Sequence, residues 1–209
     1  MSKNDHIFMP PEHMEELYSS KNPLVRFVHN QRLRKIAAIL PKMDGAKFLD
    51  AGCGEGQLIE MLYKQGHLYE FYGVDITTVA LEQSKLRNPR AHLKLMDISG
   101  LDFEDNYFDF ITCTEVIEHI FDYTAVINEL KRVLKIGGTL IFTYPNEFNW
   151  TIGRLLLARR PIKIPDHINA FNPRVIREIV GLPLFKEINL PFGLPFFLSL
   201  GCIQAFKKV

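Results

Sequence analysis

The sequence predicts an α/β fold: a doubly wound, mostly parallel seven-stranded sheet with an antiparallel pair at its C-terminal edge. Three observations carry that expectation. From Lys47 to Tyr144 short apolar runs alternate with stretches of helical apolar spacing, the pattern of successive βα units. A glycine-rich turn joins the first apolar run to the first of these helices, as ligand turns do in open α/β sheets. After a last helical pattern, Phe185–Leu190 and Cys202–Lys208 are two short runs suited to an added antiparallel pair.

Residues 1–23 read as a lead-in ending at Asn22-Pro23, where the proline disfavours helix at the residue before it. Leu24 to Leu40 has helical spacing through Leu24, Phe27, Val28, Leu33, Ile36, Ala37 and Leu40. Arg26, Arg32, Arg34 and Lys35 give that helix a basic face. Pro41 and Gly45 break it. Strands are expected at Lys47–Ala51, Glu70–Asp75, His92–Met96, Phe108–Thr112 and Thr139–Tyr144. Helices are expected from Glu55 to Gln65, where Gly66 stops the chain, and from Thr77 to Leu86. A further helix through Ile127, Leu130 and Leu134 is expected to end on Gly137-Gly138 as a C-cap, and the last helix covers Pro173–Val180. The chain reads as a single domain, 1–209. A helical cap spans 1–40, a core 45–145, a cover 147–172, and a C-terminal helix with edge strands 173–209.

Composition narrows the class. Hydrophobic residues are 47% and charged residues 23%, which excludes a disordered or fibrous chain. The net charge of +1 commits the whole chain neither to nucleic acid nor to a membrane surface. Cys53, Cys113 and Cys202 are odd in number and contain no CxxC pair, which argues against a disulfide framework or a structural zinc site. The first 18 residues have no apolar core of a signal peptide, and Leu190–Phe206 is broken by Pro191, Gly193, Pro195 and Gly201. A reducing, cytoplasmic setting is expected.

The decisive segment is Phe48-Leu49-Asp50-Ala51-Gly52-Cys53-Gly54-Glu55-Gly56: strand, acid, alternate glycines, helix. Residues without Cβ let backbone approach a ligand, and the helix start presents free N–H groups. A P-loop would need Gly-Lys-Ser/Thr, but Gly56 is followed by Gln57-Leu58. The dinucleotide fingerprint would want glycine at Gln57. Neither fits.

This segment resembles the first motif of the class I S-adenosylmethionine-dependent methyltransferases. The wider resemblance, over residues 30–145, is to the ubiquinone-type O-methyltransferases. It implies the Rossmann-like methyltransferase fold and S-adenosyl-L-methionine as cofactor. Asp75 ends the second strand 25 residues after Asp50, where the family's acid accepts the ribose hydroxyls, with Ile76 beside it. Asp97 stands where an acid meets the adenine amino group, and Ile98 is the apolar neighbour of the ring. Asp50, Gly52, Gly54, Gly56 and Thr114 complete the implied cofactor set. Arg32 sits where these enzymes carry an arginine for the cofactor's carboxylate, and Arg34 lies close enough to compete. Ile136 departs from the family's usual proline, which touches only a turn.

Glu115-x-x-Glu118-His119 would share one face of a helix at the carboxyl end of the fourth strand. Similar patterns in small-RNA 2′-O-methyltransferases and some quinone O-methyltransferases hold a divalent ion with a downstream histidine. That resemblance implies Mg²⁺ or Mn²⁺ on Glu115, Glu118, His119 and His167. The same Glu-His pair also follows the fourth strand in relatives without metal. Base-amino methylating enzymes show an (Asn/Asp)-Pro-Pro-aromatic signature here, whereas this chain has Thr114-Glu115-Val116. An oxygen acceptor with His119 or His167 as general base is therefore the expectation. Residues 148–165, with Trp150, Leu155–Leu157, Arg159, Arg160 and Lys163, read as a cover over the sheet. They suit an apolar or acidic small-molecule acceptor, or a peripheral membrane contact. Phe148, Trp150, Leu155, His167 and Phe171 are the side chains such an acceptor would meet. A metal-assisted RNA ribose methyltransferase is the runner-up, weakened by the neutral charge. A non-catalytic cofactor-binding scaffold is the third reading.

Overall fold

The computed structural model describes residues 22–156 and 167–209. The expected lead-in 1–21, and Leu157, Arg159, Arg160, Lys163 and Asp166 of the cover, lie outside the described residues. In chain order the elements are α1 (Pro23–Ile39), β1 (Lys47–Ala51), α2 (Gln57–Lys64), β2 (Glu70–Asp75), α3 (Thr78–Arg87), β3 (His92–Leu95) and β4 (Phe108–Thr114). They continue with α4 (Tyr123–Val133), β5 (Leu134–Pro145), α5 (Glu147–Leu156), α6 (Pro173–Val180), β6 (Leu184–Leu190) and β7 (Gly201–Lys207).

One seven-stranded sheet has the order β3-β2-β1-β4-β5-β7-β6. The first five strands pair in parallel, and β7 runs antiparallel between β5 and β6. The expected edge pair is present. From β1 the chain winds first towards β3 and then, through β4, towards β5. The carboxyl ends of β1 and β4 therefore flank the point where winding reverses, which opens a crevice there.

Alternation along each strand feeds two cores. Phe48, Phe110, Ile141, Ile203 and Ala205 face one side, under Leu33, Ile36, Ala37, Leu58, Ile59 and Leu62 of α1 and α2. Leu49, Ile111, Leu140, Phe142 and Phe206 face the other, under Ile127, Leu130 and Val133 of α4 and Ile176 and Val180 of α6. Each Leu, Ile, Val or Phe side chain buried this fully contributes roughly 1.5–3 kcal/mol. Local signals close α6: Asn172 accepts from the N–H groups of Arg174 and Val175, Pro173 opens the first turn, and Gly181 at φ 64° ends it. Among the described residues no helix is long and apolar enough to cross a membrane.

One boundary departs from expectation. Gly137-Gly138 does not cap α4, which stops at Val133. Leu134 already pairs with Phe108, and the next pair is Phe110 with Thr139, so the intervening residues loop out within β5. Gly137 at φ 77° serves that irregularity, its N–H donating to the Lys208 carbonyl at 2.7 Å. A glycine pair signals a helix end locally, but here sheet pairing has the stronger claim.

Candidate active site

The turn after β1 is held by its neighbours. The N–H groups of Gly52 and Cys53 both donate to the Val74 carbonyl at 2.9 Å. Gly54 N–H donates to Asp75 Oδ2 at 2.8 Å, and Thr77 N–H to Asp75 Oδ1 at 2.9 Å. Asp75 thus ties the turn to the start of α3 while each carboxylate oxygen keeps further acceptor capacity. Gly52 (φ 77°), Gly54 (φ 50°) and Gly56 (φ 79°) are left-handed. A Cβ on Gly52 would also lie 2.5 Å from Val116 Cγ2. Cys53 is a buried packing residue between them.

Asp50 is buried beneath the turn, and Thr112 Oγ1 donates to its Oδ1 at 2.8 Å. Burial pushes its carboxyl up to about 7, the Thr112 hydrogen bond opposes this, and the Asp75 charge adds to it. Asp97 closes its own turn, accepting from Ser99 N–H at 2.9 Å and Oγ at 2.8 Å. Met96 N–H donates to the Asp75 carbonyl at 2.9 Å, which sets this turn beside the end of β2. Ile76 is exposed, whereas Ile98 is packed into the core.

α1 places the two arginines differently. Arg34 is exposed; Arg32 is 2% exposed and pairs with Glu115 at 2.9 Å. Arg32 Nε and Nη1 are buried with no hydrogen-bond partner, and so is Thr114 Oγ1. Buried donors of that kind need an acceptor. The glycine cradle, these unmatched donors and the Asp75 carboxylate suit a ligand carrying a carboxylate and vicinal hydroxyls.

The Glu115–His119 segment is not the expected helix. Glu115 has φ 54°, and only Ile117–His119 form a 3₁₀ turn. The left-handed residue turns Glu115 back to Arg32 and to Thr143 Oγ1, which donates to it at 3.0 Å. Glu115 therefore does not join the ligand group expected of it. Glu118, His119 and His167 do converge, each offering a ligand atom within 4.8 Å of the others. Neither oxygen of Glu118 has a hydrogen-bond partner, at 1% exposure. Burial, then the Glu115 charge, holds its carboxyl well above the usual range. The chemistry of the set, one orphaned carboxylate and two imidazoles, suits a divalent cation.

The Glu118 carbonyl accepts from the N–H groups of Ile168 (3.1 Å) and Asn169 (3.0 Å), and Asn169 Nδ2 donates to the Ile120 carbonyl at 2.7 Å. These bonds dock His167 onto the turn, edge to face with His119 at 4.6 Å between ring centroids. His167 Nδ1 lies 2.5 Å from Glu147 Oε1. Glu147, Phe148, Thr151, His167, Ile168, Asn169 and Ala170 line a recess of about 240 Å³. Phe148 and Leu155 are exposed, and Trp150 is half-buried near His29. Phe171 is a correction: it packs in the core against Tyr123 and Tyr144. Sequence reading also missed Glu147, whose only local signal is its place just past the β5 terminus, and Thr112 and Thr143, which point inward from central strands.

A family model described as a methyltransferase domain matches residues 49–142, spanning the glycine turn, Asp75, Asp97 and Glu118-His119. Over that segment the chain is similar to the class I S-adenosylmethionine-dependent methyltransferases. Among the curated relatives of this chain is the demethylmenaquinone methyltransferase of Staphylococcus saprophyticus. It is 34% identical over 131 residues, which are 59% of this chain and 55% of the relative. The ubiquinone biosynthesis O-methyltransferase of Alkalilimnicola ehrlichii is 31% identical over 120 residues, 55% of this chain and 48% of the relative. The chain thus spans about half the length of these relatives. A crystal structure of a Pyrococcus horikoshii protein superposes with TM-score 0.75 at 18% identity, covering 97% of this chain and all of that one. That likeness establishes the fold.

Proposed function

We propose that this protein is an S-adenosylmethionine-dependent methyltransferase that transfers the cofactor's methyl group to a hydroxyl oxygen on a small, largely apolar acceptor. The carrying observation is the histidine pair, His119 and His167, beside a recess with apolar walls at the end of the fourth and fifth strands. The relatives' names, which refer to menaquinone and ubiquinone methylation, support an aromatic acceptor.

When bound, S-adenosylmethionine supplies an activated methyl group on its sulfonium. Arg32, through its unmatched Nε and Nη1, would take the carboxylate; Asp75 would accept the ribose hydroxyls and Asp97 the adenine amino group. Gly52, Gly54 and Gly56 give backbone room, Ile76 an apolar contact and Thr114 an unmatched hydroxyl, with Asp50 bracing the turn from below. His167 would take the acceptor's hydroxyl proton, freeing the oxygen to accept the methyl while the sulfur keeps the electron pair of its broken carbon–sulfur bond, and His119 packs against that base. Glu118's orphaned carboxylate favours a second reading of the same step. Glu118, His119 and His167 would then hold Mg²⁺ or Mn²⁺, which lowers the hydroxyl pKa.

In this reading 45–145 serve the cofactor, while the described parts of 1–40 and 147–172, residues 22–40, 147–156 and 167–172, would cap the acceptor side. Phe148, Ile152 and Leu155, all exposed, would meet the acceptor or a membrane surface. Three buried free thiols suit a reducing, cytoplasmic setting.

Labelled-methyl transfer to a panel of phenolic and catecholic acceptors, with and without chelator, tests the reaction. His167→Ala should lower turnover at least a hundredfold while adenosylhomocysteine affinity stays within about threefold, under 0.7 kcal/mol. Transfer only to amines or carbon, or unchanged turnover in the variant, would refute it. Chelator-insensitive turnover would eliminate the metal reading.

Asp75→Asn retains the side chain's shape and removes its charge. Adenosylhomocysteine should bind it about thirtyfold more weakly, about 2 kcal/mol, the scale of a charge-assisted hydrogen bond. Calorimetric titration measures this, and affinity within threefold of the parent would rule out ribose binding by Asp75.

A further inference from the structure

We infer that Glu147 is the positioning residue of this site: it decides which nitrogen of His167 carries the lone pair that works there. The inference rests on the reading of His167 as base or metal ligand and adds a residue to it. Glu147 Oε1 lies 2.5 Å from His167 Nδ1, and the two side chains are only 14% and 10% exposed. A carboxylate accepts and does not donate, so Nδ1 carries the hydrogen, and in the neutral ring Nε2 keeps its lone pair. A free imidazole prefers the opposite tautomer, with hydrogen on Nε2, and would present no lone pair from that atom.

Both ends of the contact are fixed independently of it. Glu147 opens α5, where the chain leaves β5 and Trp150 N–H donates to the Asn146 carbonyl at 3.0 Å. His167 is held by the bonds that Ile168 and Asn169 make to the Glu118 carbonyl. The pair also borders the 240 Å³ recess, so the oriented nitrogen belongs to its wall. Either role of His167 requires this arrangement. A base needs a lone pair towards the acceptor, and a metal-bound histidine characteristically gives its other N–H to a carboxylate. A Glu147 that served only as an acid in the first turn of α5 would leave the tautomer untouched.

The test is nitrogen NMR of histidine-labelled protein, with the His167 signals assigned by their loss in His167→Gln. The parent should show hydrogen on Nδ1. Glu147→Gln, whose amide oxygen still accepts, should keep that tautomer. Glu147→Ala should switch His167 to hydrogen on Nε2, with adenosylhomocysteine affinity unchanged as proof of an intact fold. Hydrogen on Nε2 in the parent would overturn the inference, even if Glu147→Ala fails to fold, and so would an unchanged spectrum in Glu147→Ala. Mn²⁺ titration followed by electron paramagnetic resonance supplies a second reading. Ten- to hundredfold weaker binding in Glu147→Ala is expected, with partial rescue in Glu147→Gln. A parent that binds no Mn²⁺ removes the metal reading alone, and the tautomer then decides the role of Glu147.

Discussion

Arg32→Met should lose about 3 kcal/mol of stability and at least thirtyfold in adenosylhomocysteine affinity. Arg32 is 2% exposed, and its Nη2 meets Glu115 at 2.9 Å. Removing one partner of a buried ion pair leaves the other charge uncompensated, typically at 3–5 kcal/mol, and the 18% exposure of the Glu115 side chain places this case at the lower end. In a domain of this size the loss reads as a fall of about 6–12 °C in Tm. Arg32→Met with Glu115→Gln removes both charges. It should recover most of the stability, while affinity stays low because the donors for the cofactor's carboxylate are still missing. Equal instability of the single and double variants would show that the pair is not the source. Parental affinity in either would refute the anchoring role.

Asp50→Asn should become more stable than the parent as pH rises. Burial lifts the Asp50 carboxyl from 3.8 to about 7 in the folded chain. Between those values the folded state binds a proton that the unfolded state has released. Stability from this group therefore falls as pH rises from about 4 to about 7, and the cost is complete above that, on the order of 4 kcal/mol. The amide of the variant would keep an oxygen for the Thr112 hydroxyl and carry no charge to desolvate. Urea unfolding at pH 5 and pH 8 measures the difference between the two proteins. A gap that widens at pH 8 in favour of the variant is expected; parallel stabilities at both pH values would refute the buried-carboxyl account.

These effects mark how far the sequence reading reached. Strand positions were legible because side-chain alternation and β-rich runs are local, and Asp50–Gly56 was legible because the turn is a local backbone problem with one good solution. The end of α4 was misplaced because Gly137 answers to a pairing between β4 and β5, which no local pattern declares. The helical spacing of Glu115, Glu118 and His119 misled for the same reason. Helical periodicity assumes a helix, and Glu115 at φ 54° is turned instead towards an arginine from α1.

By itself the sequence determined the βα order, the edge pair, the cofactor class and the candidate acids, all properties of neighbours along the chain. Only the tertiary structure buried Arg32 and left Arg34 exposed, took Glu115 out of the Glu118–His119–His167 group and withdrew Phe171 into the core. It alone paired His167 with Glu147, 20 residues apart. Each of those outcomes depends on where backbone carbonyls and buried space lie once the sheet has closed. Side chains distant in sequence meet there because unmatched polar groups must find partners once water is excluded.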